Sequence, residues 1–224
     1  MTLPRAPRAV VFDLDGTLID SEALVREAYF AISRQFGASM SDAQFLSLIG
    51  LNRDDNDILL RSYWGSNFPL EDFHAANRAF LLERVAPLKP GALELLDALD
   101  DLETPYALAT SSGPPWVERH FSAYSLAHRF KAVITRTDCV NGKPHPEPYI
   151  KASAALGADP ADVLALEDSH AGVRSAHAAG CMTIMIPDLL APNDEMHATA
   201  LRVVDSLHDV RALLVSRAPA SADR

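Results

Sequence analysis

The chain lacks most of what would mark a disulfide-rich, membrane-spanning or nucleic-acid-binding protein. Only two cysteines, Cys139 and Cys181, occur among 224 residues. They are too few and too isolated for a disulfide framework or a Cys-rich zinc site, and both read as small buried or half-buried fillers. No apolar run approaches the ~20 residues that a membrane span requires. Residues 1–8 lead straight into a strand-like run, without the apolar stretch and small-residue cleavage site of a signal peptide, so a cytoplasmic location is expected. Positive charge is also scarce. Twenty Lys and Arg against 30 Asp and Glu leave a formal charge of -10, which argues against nucleic acid or anionic lipid as partners. A small anionic substrate stays compatible, because one lysine, a metal ion and backbone N–H groups can hold a phosphate ester locally.

What is present is ordinary globular material, with 48% hydrophobic and 22% charged residues, enough to bury a sizeable core. Short apolar or β-branched runs at residues 8–12, 106–109, 132–135, 163–166, 182–186 and 202–204 read as buried strands. From Gly91 onward they alternate with helical stretches at 92–102, 115–124, 147–156 and 172–179. Such alternation specifies an α/β fold, a Rossmann-like doubly wound parallel sheet with helices on both faces. Residues 20–87 differ: Leu24, Ala28, Ile32 and Phe36, and later Phe73, Ala76, Phe80 and Leu81, recur at helical spacing with no convincing strand run. The expected organisation is an α/β core of residues 1–19 and 88–224 interrupted by a helical cap domain at 20–87. The cap should end in a breaker-rich hinge, Pro87-Leu88-Lys89-Pro90-Gly91. Residues 218–224 have the composition of a disordered tail.

Four segments at predicted strand ends carry candidate chemistry. In Val10-Val11-Phe12-Asp13-Leu14-Asp15-Gly16-Thr17-Leu18, two carboxylates stand where open α/β sheets bind ligands, although Asp15-Gly16 is also plain turn chemistry. In Leu108-Ala109-Thr110-Ser111-Ser112-Gly113, a hydroxyl at a strand tip and the following N–H groups can grip phosphate oxygens, although Ser-Ser-Gly is also common in turns. In Asn141-Gly142-Lys143-Pro144-His145-Pro146-Glu147-Pro148, the prolines restrict the backbone that carries Lys143, a residue type otherwise most often solvated. In Ala165-Leu166-Glu167-Asp168-Ser169-His170-Ala171-Gly172-Val173, an acidic pair precedes a helix. Hard carboxylate oxygens of this kind suit magnesium, while Asp168 and Ser169 are equally good helix caps.

Taken together and in this order, the four segments resemble the signature motifs of the haloacid dehalogenase-like hydrolase superfamily, in its β-phosphoglucomutase/phosphatase-like branch with a helical cap inserted after the first motif. The resemblance implies a phosphatase for a small phosphomonoester such as a sugar phosphate, acting through an aspartyl phosphate. It makes Asp13 the nucleophile, Asp15 the general acid and base, and Thr110 and Lys143 the grip on the phosphoryl group. Ser111 would act through its N–H, Ser112 toward the substrate. Mg2+ would be held by Asp13, the Asp15 carbonyl and Asp168, with Glu167 assisting directly or through water. His145 reads as local structure, and His170 as a neighbour of the metal, not a ligand. Leu48-Ile49-Gly50-Leu51-Asn52-Arg53 resembles the cap segment that brings an arginine to the sugar-phosphate end, which makes Arg53 a substrate-contact candidate.

A phosphomutase would share the core residues. Here, however, Val25 stands where such relatives carry a histidine soon after the first motif, and Ile49 replaces a cap lysine, which favours hydrolysis. A haloacid dehalogenase is disfavoured because that branch lacks the carboxylate of Asp15. A non-catalytic phospho-acceptor or binding protein would not need all four motifs. The expected partner is a small phosphorylated metabolite, and the chain a monomer or weak homo-oligomer.

Overall fold

A computed structural model describes residues 3–49 and 53–216; the expected tail at 218–224 lies outside the described residues. The chain divides into two compact units, Met1–Asp20 with Pro87–Arg224, and Ser21–Ala86.

The first unit is built on strands β1 (Ala9–Phe12), β2 (Tyr106–Ala109), β3 (Ala132–Ile134), β4 (Val163–Glu167), β5 (Met182–Met185) and β6 (Arg202–Val203). They form one parallel sheet in the order β3-β2-β1-β4-β5-β6. The four central strands are fully buried and the edge strands β3 and β6 half-buried. That explains why the central runs are largely apolar instead of alternating.

Strand ends differ slightly from the sequence pattern. β3 stops before Thr135, because the Thr135 amide donates to the Asp138 carboxylate at 2.7 Å and starts a tight turn. β4 runs one residue further than its apolar pattern, through Glu167.

In the helical unit, α1 (Ser21–Gln35), α2 (Asp42–Leu48), α3 (Arg53–Trp64) and α4 (Leu70–Leu82) surround Ile32, Phe45, Leu60, Phe68 and Phe73. Trp64 packs on this centre, its ring centroid 4.6 Å from that of Phe68 and 5.0 Å from that of Phe73. The described part of this unit contains no strand. In the sheet unit, the outgoing and returning connectors pair with each other: Asp20 N donates to Pro87 O at 2.8 Å and Lys89 N to Leu18 O at 2.9 Å.

Helices α5 (Ala92–Asp101), α6 (Pro114–Ala123), α7 (Glu147–Ala155), α8 (His170–Ala178), α9 (Asp194–Thr199) and α10 (Leu207–Val215) flank the sheet. α7 packs on β1, β2 and β3, and α5 packs on α10. α8 begins at His170, two residues earlier than its apolar pattern, because the Ser169 hydroxyl accepts the Gly172 N–H at 3.1 Å and caps the helix.

Candidate active site

The strand order reverses between β1 and β4, and the crevice at such a reversal, beyond the carboxyl ends of the strands, is where open α/β sheets place their ligands. Phe12 pairs with Leu166 in register, and Asp13 N donates to Leu166 O at 2.9 Å. The ladder therefore fixes Asp13 beside the end of β4. Carboxylate oxygens of Asp13, Glu167 and Asp168 all lie within 4.8 Å of one another.

Lys143, on the loop between β3 and α7, supplies the countercharge. Its ammonium donates to Asp13 Oδ1 and to Glu167 Oε1, each at 2.5 Å, with only 5% of its side chain exposed. The loop is pinned from outside. Glu147 accepts the N–H groups of Val140 at 3.0 Å and Asn141 at 2.9 Å, and Ser175 Oγ donates to His145 O at 2.6 Å. His145 is thus part of the local framework. Glu167, fully buried, also accepts the Tyr149 hydroxyl at 2.6 Å on Oε1 and the Ser169 hydroxyl at 3.1 Å on Oε2.

Three carboxylates face one ammonium, and the protonation of Asp13 and Asp168 reflects it. Burial pushes the Asp13 carboxyl up to about 8, against the pull of Lys143 and with added repulsion from Glu167 and Asp15. Asp168 is raised well above the ordinary range by burial first, then by Asp13 and Glu167. Burial alone would favour a neutral Lys143 amine, but Asp13 and Glu167 outweigh it and hold the ammonium charged. Such a set of crowded hard oxygen donors fits a divalent cation such as magnesium, which would relieve their repulsion. The backbone leaves room beside it: Gly16 has φ +79°, and a Cβ there would lie 2.2 Å from Asp168 Oδ2. His170 is not among these donors; its Nε2 bonds to the Ala191 carbonyl oxygen at 2.9 Å.

The Asp15 side chain belongs to a separate arrangement. Ser112 Oγ donates to its Oδ2 at 2.5 Å, and the Trp116 indole N–H donates to its Oδ1 at 2.9 Å. Ser112 in turn donates its backbone N–H to Thr110 Oγ1 at 3.0 Å, at the buried tip of β2, while Ser111 is exposed. Sequence reasoning missed Trp116 and Tyr149, each in a helix with no motif around it. It also missed Asp188, just after β5, which pairs with Lys89 at 2.9 Å and adds repulsion at Asp168.

Arg53 lies in the helical unit, at the first residue of α3. It is 3.3 Å from the Asp57 carboxylate and 3.7 Å from Glu71, and Asp57 also bonds to His74 Nε2 at 2.7 Å. Gly50, Leu51 and Asn52 of the same segment lie outside the described residues. Cys139 and Cys181 are free and buried, as expected of fillers, and no described helix is long and apolar enough to cross a membrane.

Comparison with known proteins bears on this geometry. The family model for haloacid dehalogenase-like hydrolases matches residues 10–186. The chain is 33% identical over 210 residues to a Drosophila melanogaster protein named probable pseudouridine-5'-phosphatase, covering 90% of each. It is 29% identical over 221 residues to hexitol phosphatase B of Escherichia coli strain K12, covering 95% of this chain and 98% of that one. Among solved structures, CbbY from Rhodobacter sphaeroides in complex with phosphate superposes with a TM-score of 0.72 at 26% identity, covering 91% of this chain and 96% of that one.

Proposed function

Because the chain belongs to the family of haloacid dehalogenase-like hydrolases, we propose that it is a phosphatase for small phosphorylated metabolites, working through an aspartyl phosphate on Asp13. The observation that carries this reading is the Asp13 carboxylate held against Lys143 and beside Glu167 and Asp168. A nucleophilic carboxylate can approach a phosphate dianion only where positive charge is concentrated. Relatives named as phosphatases of pseudouridine phosphate and of hexitol phosphate support a sugar phosphate or similar ester as substrate.

Asp13 attacks the phosphorus, a bond forms from its oxygen, and the ester P–O bond breaks. Asp15 gives its proton to the departing alkoxide, then accepts one from the water that attacks the acyl phosphate and frees Asp13. Lys143 neutralises the phosphoryl oxygens as well as Asp13, while the Thr110 hydroxyl and the N–H groups after it orient them. Magnesium, held by Asp13, the Asp15 carbonyl and Asp168, would supply further charge neutralisation at the phosphoryl group. Glu167, both of whose oxygens already have protein partners, serves Lys143 first and the cation second. The helical unit selects the substrate, with Arg53 as its contact to a second anionic or hydroxylated end.

Hydrolysis is favoured over mutase chemistry by Val25 and Ile49. Both pack against the apolar centre of the helical unit and offer no polar group to a sugar intermediate. The reading is tested by a panel of sugar, polyol and nucleoside phosphates assayed for free phosphate with magnesium and with a chelator. Magnesium-dependent release from at least one small ester is expected. Isomerised sugar phosphate without release would favour the mutase instead.

A further inference from the structure

The Asp15 carboxylate has two oxygens in unlike company. Oδ1 accepts the Trp116 indole N–H at 2.9 Å, and Oδ2 is 2.5 Å from the Ser112 hydroxyl. An indole N–H donates and has no lone pair to accept with, whereas a hydroxyl does both. The two contacts are therefore not interchangeable. A proton on Oδ1 would face another hydrogen, while a proton on Oδ2 can be shared with Ser112 or passed on.

The placement of Trp116 is built in from the sequence. α6 opens with Pro114 and Pro115, whose fixed φ suits the first helical positions. Trp116 N donates to Gly113 O at 3.1 Å. The ring also lies against His120, centroids 4.3 Å apart with the planes tilted by 56°, and His120 Nδ1 bonds to the Trp116 carbonyl at 2.8 Å. His120 is fully buried, so the indole is backed by a fixed partner.

We infer that Trp116 is a positioning residue for the reaction: it holds Asp15 through Oδ1 and leaves Oδ2, beside Ser112, as the oxygen that exchanges the proton with the leaving group and then with water. The inference rests on the acid–base role of Asp15 in the proposed function. In the first step the Oδ2 proton moves to the alkoxide oxygen as its bond to phosphorus breaks and the Asp13–phosphorus bond forms. In the second, a water proton moves to Oδ2 as the water oxygen displaces Asp13 from phosphorus.

Substitutions at Trp116 separate the donor from the ring. Trp116→Phe keeps an aromatic ring and removes the donor. Trp116→His removes the fused benzene ring but keeps a ring nitrogen, Nε2, at the position of the indole nitrogen. The readout is first-turnover release of the leaving group, compared for para-nitrophenyl phosphate, whose leaving group needs no proton, and for a hexose phosphate turned over by the wild type. Trp116→Phe should slow hexose release about tenfold, the value of one hydrogen bond to a charged group. It should leave nitrophenol release nearly unchanged, which also shows that the variant is folded. Trp116→His should recover most of the loss. Equal slowing of both substrates in Trp116→Phe, or a Trp116→His variant slower than Trp116→Phe on the hexose ester, would mean that the ring only packs and would overturn the inference. Asp15→Asn separates the two levels. It should slow hexose release by about a hundredfold or more beyond any slowing of nitrophenol release. If it shows no such split, the acid–base role of Asp15 fails and the positioning role with it. If it shows the split and Trp116→Phe does not, only the positioning role fails.

Discussion

The Lys143 ammonium lies 2.5 Å from Oδ1 of Asp13, and both side chains are almost wholly shielded from water, 5% and 9% exposed. Removing the cation therefore leaves Asp13 and Glu167 as buried carboxylates without their countercharge. Lys143→Met should lower turnover by at least about a hundredfold, the scale of losing one preorganised charge at a reacting centre. It should also cost roughly 3 kcal/mol of stability, as when one partner of a buried pair is deleted. Urea unfolding and steady-state turnover check the two effects. A variant as stable and active as the wild type would show that the pair is incidental.

The crowding of acids predicts how the metal-free protein responds to pH. Burial first, and then the neighbouring carboxylates against the pull of Lys143, raise the carboxyls of Asp13, to about 8, and Asp168 above their ordinary value of 3.8. Between those limits the folded chain holds protons that the unfolded chain has released. Their contribution to stability is complete below about 3.8 and is lost as pH rises through about 8. Melting temperature of the metal-free protein should fall from about pH 5 to about pH 8, and excess magnesium should flatten the fall by taking the place of the protons. A melting temperature that rises across this window without metal would contradict the assignment.

Gly172 in α8 offers a test of how tightly the acidic group is packed. A Cβ there would lie 1.9 Å from Glu167 Cδ. Alanine ordinarily gains up to ~1 kcal/mol over glycine inside a helix. Here the clash is with a fully buried side chain already bonded to Lys143 and Tyr149, and overpacking of that kind costs about 1–3 kcal/mol. Gly172→Ala should therefore melt lower, and turn over at least about tenfold more slowly as Glu167 is pushed off Lys143. Thermal unfolding beside turnover decides it. An unchanged or raised melting temperature would show that helix propensity wins.

The sheet was legible because its central strands are buried on both faces and read as short, largely apolar runs, three of which end at a polar residue of the site: Asp13, Thr110 and Glu167. The residues that hold those side chains were not. Trp116 and Tyr149 act through one polar atom each, and their place depends on how α6 and α7 pack, which no spacing announces. Helix α10 passed unnoticed although Leu207, Val210 and Leu214 are buried at helical spacing. The six residues of α9 are too few to carry any, and the helix begins where the Asn193 side chain accepts the Met196 N–H. Lys89 read as part of a breaker-rich connector. Its pairing with Asp188, 99 residues later, is a product of the sheet bringing β5 beside β4.

The account turns on Asp13 as the group that carries the phosphate. Asp13→Asn nearly preserves the size of the side chain and removes the negative charge, so it should fold. Phosphate release from the best substrate of the panel, measured with magnesium for variant and wild type at equal folded concentration, is the direct test. The account predicts no release above the uncatalysed rate for Asp13→Asn. Release near the wild-type rate would contradict it.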